Sequence, residues 1–403
     1  MSSEALDSPF NIDALRDATP GCKDLAFLNN AGSSLPSTKT LESTIAHLRR
    51  EAIVGGYVAA DEVEPVLLKA KAAAARLVNA VDATEISLQH SDTTGFVKVF
   101  TGMCNAGLIA RGSRVVVDRL SYSSHYLGIL QAALSFGVVV DVLPSDNHGA
   151  IDQAQIATTL DRPTAMVSAT MVATHCGLIN PVAALGAACR QRGIPFILDA
   201  CQAVGQLPVD VEAIGCDALT TTGRKWLRAP RGTGFLYVRR SLAERCEPSG
   251  IDGHSANWNG AVSYELLPGA GRFDEFEFSV AARVGLANAL AELESLSVDR
   301  VHARISSLAS HLRAGLESVG AKVLDGSGPK SGIVTFNKPG VDPAAIANGA
   351  ASQAIAINTP GVAGARLDMH AKGLASVVRA SPHIYNTTDE LDRLIAVVAS
   401  LTA

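Results

Sequence analysis

Aromatic residues make up only 5% of the 403-residue chain. That is lean for a β-sandwich and suits closely packed, Ala- and Gly-rich α/β layers. The seven cysteines are scattered, odd in number and never spaced as C-x-x-C. A disulfide framework and a zinc ribbon are both disfavoured, and reduced core thiols in a cytoplasmic protein are expected. Ten histidines form no H-E-x-x-H or H-x-x-x-H pair, so no metal site is expected. Positive charge is not in excess: 34 Lys and Arg face 39 Asp and Glu, for a net charge of -5. The electrostatic footprint of a nucleic-acid binder is missing. No apolar run approaches the ~20 residues of a membrane span. The first ten residues lack the basic start and apolar core of a secretory leader. No internal repeat or low-complexity linker interrupts the chain.

What is present is alternation. Apolar runs at 114–118, 138–143, 165–170, 195–199, 218–221 and 234–238 read as strands. Helical spacing at 96–108, 126–136, 153–160 and 181–192 falls between them. Continuous apolar strands alternating with helices predict a mostly parallel sheet covered on both faces. Helices are also predicted at 37–60 and 64–78 ahead of this array. After residue 250, helices at 279–296 and 301–319 precede short strands at 322–324, 332–337 and 377–381 and a last helix from 388. This pattern predicts three parts: an N-terminal segment (1–30), a large domain (31–250) and a small α+β domain (251–403). Residues 253–271, rich in Gly, Asn and Ser, read as a long functional loop able to receive a bulky leaving group with His254, Asn257 and Trp258.

The chemistry concentrates between residues 196 and 240. The run F-I-L-D-A-C-Q ends an apolar strand in Asp199, with Gln202 three residues on. T-T-G-R-K then places Lys225 just before the strand G-F-L-Y-V. A lysine amine able to form a Schiff base, with a buried carboxylate upstream, suits pyridoxal phosphate: the amine takes the aldehyde and Asp199 pairs with the ring nitrogen. Singly, Lys225 reads as a surface lysine and Asp199 as a turn former. Gln202 is placed to donate to the ring's phenolate oxygen. Ser91-Asp92-Thr93-Thr94-Gly95, between a strand and a helix, offers backbone N–H groups and hydroxyls for a phosphate, though an ordinary N-cap reads the same way. Thr222 and Arg224 add a hydroxyl and a positive charge. Tyr122 is the first candidate to stack on the ring and His125 the second; either also reads as a loop aromatic. Arg379, emerging from V-V-R-A-S-P-H, is a candidate clamp for a substrate carboxylate, with a structural ion pair as the other reading.

These segments, with L-N-N-A-G-S-S-L-P near the start and N-P-V-A-A-L after Gly177, resemble the class V aminotransferase superfamily over nearly the whole chain. The branch it is most similar to holds isopenicillin N epimerase-like enzymes, cysteine C–S lyases and hercynylcysteine sulfoxide lyases. The resemblance implies fold type I: a seven-stranded, mostly parallel sheet, a small C-terminal domain, and a homodimer with its active site at the interface. It implies a catalytic Lys225, and a cofactor held by Asp199, Gln202, Thr93, Thr94, Thr222 and Arg224. Thr174 and His175 lie where relatives contact the ring, and Asn30 and Arg379 where they bind substrate. Desulfurases of the family carry a catalytic cysteine just before the carboxylate-binding segment. Residues 347–379 here contain none, and Cys246 is the last in the chain. The expected activity is therefore β-elimination on a cysteine conjugate or sulfoxide, with transamination or epimerisation of an amino acid as the alternative.

Overall fold

The computed structural model describes residues 10–402; the leader reading above falls mostly outside them. Seven strands form the central sheet: β1 (Ile86–Gln89), β2 (Arg114–Val117), β3 (Val139–Val142), β4 (Met166–Thr170), β5 (Phe196–Asp199), β6 (Ala218–Thr222) and β7 (Gly234–Val238). Their spatial order is β1-β7-β6-β5-β4-β2-β3. The five from β6 to β3 run parallel, while β7 is antiparallel to both β6 and β1. The fold is mixed α/β, as the alternation predicted.

Each central strand is apolar along its length because both faces are covered. The two-residue period divides the strands between two cores. Val115, Val117 and Ile197 join Phe96, Val99 and Met103 of α3 (Asp92–Asn105) and Ile129 of α4 (Ser123–Phe136) on one face. Val116, Phe196 and Leu198 join Leu160 of α5 (Gln153–Leu160), Leu185 of α6 (Val182–Arg192) and Leu286 of α7 (Val280–Leu296) on the other. The long helices α1 (Thr38–Val54) and α2 (Gly56–Leu77) precede this array and pack on α7. They meet at Gly55, whose φ of 85° turns the chain where a side chain would be strained.

A second, antiparallel sheet joins β8 (Lys322–Val323), β9 (Val334–Asn337) and β10 (Val378–Ala380). The helices α8 (Val298–Ser318) and α10 (Thr388–Ser400) close a core over it through Leu308, Leu312, Leu391 and Leu394. The segment after residue 250 thus contributes to both layers, α7 to the large one and α8 to the small one. Residues 253–271 are not a long loop. Ala256–Gly260 and Ser263–Leu266 form an antiparallel hairpin, followed by a 3-10 turn at Gly269–Phe273. The Asn- and Gly-rich composition that suggests a loop belongs to an exposed ribbon, with Trp258 83% and Val262 fully exposed.

Candidate active site

The five strands of the parallel set end on one side of the sheet, and most of the candidate residues lie at those carboxyl ends, as open α/β sheets arrange their sites. Lys225 follows β6 in a tight loop. Gly223 N donates to Thr233 O at 2.8 Å and Arg228 N to Lys225 O at 3.0 Å. Arg228 adopts a left-handed backbone, φ 61°, a strained conformation that its side chain holds in place. Its guanidinium donates to Leu35 O (2.9 Å), Thr19 Oγ1 (2.6 Å) and Glu292 (3.0 Å). Gly205 lets the segment after β5 approach this loop. A Cβ there would stand 2.6 Å from the carbonyl carbon of Trp226. Lys225 Nζ is buried, 3.3 Å from Cys201 Sγ and 5.8 Å from the centre of the Tyr122 ring.

Asp199 ends β5 with its side chain buried. One carboxylate oxygen accepts from Cys201 N at 2.9 Å; the other has no such donor among the described residues. Burial, with the charge of nearby Asp92, pushes its pKa up to about 6. Behind it stand two residues of α3 and α4. His125 Nε2 lies 3.3 Å from Asp92 Oδ1, which also accepts from Thr220 Oγ1 at 2.6 Å. The His125 ring stacks on Phe96 at 3.9 Å between centroids. That buried position removes His125 from the wall facing Lys225, which leaves Tyr122 as the aromatic on that wall.

The start of α3 is held by a capping box. Ser91 Oγ accepts from Thr94 N at 3.1 Å, and Thr94 Oγ1 accepts from Ser91 N at 3.0 Å. Thr94 is thereby committed to the cap. Thr93 stays exposed. The first amides of a helix have no intrahelical acceptor and favour an anion. Thr222 shares the face of β6 with Thr220, which touches Asp92; its hydroxyl donates to Thr233 O at 3.3 Å. Arg224 turns toward the N-terminal segment instead, bonding the Gly32 carbonyl and lining the cavity beside Arg379.

Arg379 lies in β10, almost wholly buried. Its Nη1 donates to both the carbonyl and the hydroxyl of Thr174, each at 2.9 Å. Nη2 reaches Asn29 Oδ1 at 3.4 Å, and Nε is buried without a partner. Thr174 Oγ1 also accepts from Gln202 Nε2 at 3.1 Å. Gln202 donates further to Ala31 O (3.0 Å) and accepts from Trp226 Nε1 (2.8 Å). Asn30 is fully buried: its amide donates to Ser381 O and Phe27 O, and its oxygen accepts from Tyr385. The structure does not bring Asn30 to the cavity; its neighbours Ala31 and Gly32 line it.

His175 does line the cavity, and Nε2 lies 2.7 Å from Asp368 Oδ2. Burial holds His175 below the ordinary histidine range. The neutral ring therefore carries its hydrogen on Nε2 for Asp368, and Nδ1 is a buried acceptor without a partner. Asp368, fully buried, also takes Arg119 Nε at 2.8 Å and Lys372 Nζ at 2.7 Å. Burial works against its charge, but the bonds from His175 and Lys372 prevail and hold it to about 2. Sequence reasoning missed Asp368. It sits on the six-residue helix α9 (Arg366–Ala371), too short to show a period. His254, Asn257 and Trp258 do not line this cavity.

The cavity encloses about 330 Å³ between Lys225, Tyr122, Thr174, His175, Arg379 and the segment 358–365. Its donors fit pyridoxal phosphate on their own terms. The wall itself holds a buried amine and an unpartnered guanidinium Nε for an acid; outside the wall, at the neighbouring strand ends, stand a carboxylate with an open oxygen and a capped helix start. Among the described residues, no helix is long and apolar enough to cross a membrane.

Comparison with known proteins agrees with this donor set. Residues 26–394 match the model of the Aminotransferase class-V family. The chain is 32% identical over 398 residues to a probable hercynylcysteine sulfoxide lyase of Mycobacterium tuberculosis, covering 97% of this chain and 93% of that one. It is 25% identical over 378 residues to a cysteine desulfurase of Pectobacterium atrosepticum, covering 92% of both. The fold superposes with a TM-score of 0.85 on the cystine C–S lyase C-DES bound to its product cysteine persulfide, at 21% identity over 96% of this chain and 100% of that one. Another structure of that enzyme carries glycine linked covalently to its pyridoxal phosphate.

Proposed function

The chain belongs to the class-V aminotransferase family, with pyridoxal phosphate as its cofactor, and from that premise we propose a β-eliminating lyase that cleaves the C–S bond of a cysteine conjugate or its sulfoxide. The observation that carries this reading is the composition of the cavity wall. Residues 358–365 line it without a thiol, so no cysteine there can accept sulfur. The two nearest thiols, Cys201 and Cys176, are buried, and burial pushes both up to about 12. Neither is a thiolate at neutral pH, as a sulfur acceptor must be. The 32% identity to a probable sulfoxide lyase points the same way.

Bound in this site, the cofactor supplies an electron sink that lets the substrate's Cα proton leave. The chain's own residues do the rest. Lys225 Nζ takes that proton. Asp199 keeps a proton on the ring nitrogen, and the start of α3 with Thr93 and Thr222 holds the phosphate. The Nε–Nη2 edge of Arg379, its Nη1 spent on Thr174, grips the substrate carboxylate with two parallel bonds. Tyr122 covers the cavity beside Lys225 and shields it from water. The C–S electron pair leaves with sulfur, which takes up a proton and departs as a thiol, or as a sulfenic acid from a sulfoxide; the three-carbon aminoacrylate that remains is hydrolysed by one water to pyruvate and ammonia. We further propose a cytoplasmic homodimer, with the exposed hairpin at residues 256–266 facing the partner.

The test is to supply S-alkylcysteines and their sulfoxides to the loaded enzyme and assay pyruvate and ammonia. Stoichiometric release of both supports elimination. Conversion to the pyridoxamine form with release of an intact keto acid assigns transamination instead, and racemised substrate assigns epimerisation.

A further inference from the structure

One buried charge cluster backs the working carboxylate. Asp92, His125 and Asp199 come from α3, α4 and β5, and one side-chain nitrogen or oxygen of each lies within 4.8 Å of the others. The imidazole is constrained on every side. Asp92 Oδ1 and Thr220 Oγ1 lie 3.3 and 3.2 Å from Nε2, Ser168 Oγ lies 3.5 Å from Nδ1, and Phe96 lies against the ring. The charged groups facing it are carboxylates: Asp92 from α3, Asp199 from β5 and, more distantly, Asp118 after β2. The one cation nearby is Lys225, which faces Asp92 and Asp199.

We propose that His125 is a positioning residue for the cofactor: fixed by Asp92 and Thr220 and standing within 4.8 Å of Asp199, it offsets the charge of Asp92 and so keeps Asp199 available to the ring nitrogen of pyridoxal phosphate. Asp199 needs such help. A carboxylate at the end of a buried strand with one backbone donor tends to protonate, and a protonated Asp199 cannot hold the pyridinium proton. Burial opposes a charged His125 too, but the bond and field of Asp92, with the charges of Asp199 and Asp118, together outweigh it and raise the imidazole above its ordinary range. Asp92 falls correspondingly, its pairing with His125 exceeding the cost of burial. The pair is a standing ion pair one layer behind the working carboxylate. In metal sites, partners of this kind orient the ligands they bond. His125 does not line the cavity, so it is a positioning residue, with Asp92 as its anchor.

The inference rests on Asp199 as the ring nitrogen's partner and is independent of which bond the enzyme breaks. Histidine-selective nitrogen-15 labelling of the pyridoxal phosphate-loaded protein reads it directly. His125 is expected to show two protonated ring nitrogens at pH 7, and Asp92→Asn to return it to the neutral pattern. Equilibrium dialysis against pyridoxal 5'-phosphate gives a second readout. His125→Gln, which leaves the charge of Asp92 unopposed, is expected to weaken retention on the order of tenfold or more, and to move the pH dependence of the bound cofactor's visible spectrum toward neutrality. A neutral His125 in the loaded wild-type protein overturns the proposal, and that measurement needs no variant to fold. Wild-type retention and spectrum in His125→Gln overturn it as well. Asp199→Asn, dialysed alongside, separates the two failures. If it keeps the cofactor at wild-type affinity, the ring-nitrogen assignment is wrong; if it loses the cofactor while His125→Gln keeps it, only the role of His125 is wrong.

Discussion

Arg379 spends one nitrogen twice on Thr174: Nη1 lies 2.9 Å from both the carbonyl and the hydroxyl of that residue. The guanidinium is thereby turned so that its remaining edge, with the unpartnered Nε, is left for a ligand. Arg379→Ala should raise KM for amino-acid substrates by roughly two orders of magnitude, about 2–4 kcal/mol, because a desolvated carboxylate loses its partner. Arg379→Lys should restore little, since an ammonium cannot reproduce the planar two-point grip. Steady-state kinetics with an unchanged KM in both variants would remove Arg379 from the clamp.

Lys225→Ala should abolish turnover and the visible absorbance of the lysine-linked cofactor, while circular dichroism stays native. The lysine side chain stabilises the loop little, because Arg228 and Thr233 hold its backbone. Retained visible absorbance would transfer the linkage to another amine.

Asp199 and Asp368 should respond to pH in opposite senses. Asp199 is raised to about 6, so in the cofactor-free protein its ionisation opposes folding. The cost starts near the ordinary carboxylate value and is complete above pH 6. Asp199→Asn should therefore leave the stripped protein at least as resistant to urea at pH 8 as the wild type, while weakening cofactor retention. Lower urea resistance would contradict this.

Asp368 is depressed to about 2. Its contribution to stability is complete above the ordinary carboxylate value and declines as pH falls from about 4 toward 2. Asp368→Ala should cost roughly 3–5 kcal/mol at neutral pH, because it strands His175, Arg119 and Lys372 around an empty centre. Urea unfolding at pH 7 and pH 3 should show the difference between variant and wild type shrinking at the lower pH.

Thiol reagents offer a simple check on the proposed chemistry. All seven cysteines are free; six are buried, and Cys104 is half-buried. Iodoacetamide at pH 8 should leave C–S lyase activity intact, and Cys201→Ala should retain most of it. Rapid inactivation tracking modification of Cys201 or Cys176 would reopen the desulfurase reading.

Much of this was legible in the sequence because the chemistry sits on strands. Short runs such as 196–199 and 218–221, flanked by helical spacing, read as buried strands, and the polar residue that ends or follows each is conspicuous against them. Lys225, Asp199 and Arg379 were visible for that reason. Residues whose role depends on the angle of a side chain were not. Asp92 reads as part of a helix cap, and only the packing of α3 against α4 brings it to His125. Thr94 reads as a phosphate hydroxyl until the capping box is seen. Asn30 sits in the motif L-N-N-A-G yet turns inward to Ser381 and Tyr385. The hairpin at 256–266 was hidden by its composition, since an exposed ribbon and a loop favour the same residues.

The substrate end of the cavity is stitched from the chain's two extremities. Asn29 lies beside Arg379, Ser381 accepts from Asn30, and Ser34 N donates to Arg224 O at 2.8 Å, so residues 29–34 thread between the lysine loop and β10. During synthesis the sheet, the lysine and the carboxylate exist long before Arg379 emerges. The carboxylate clamp is therefore the last part of the site to be made, and it is complete only when β10 docks beside residues 29–34.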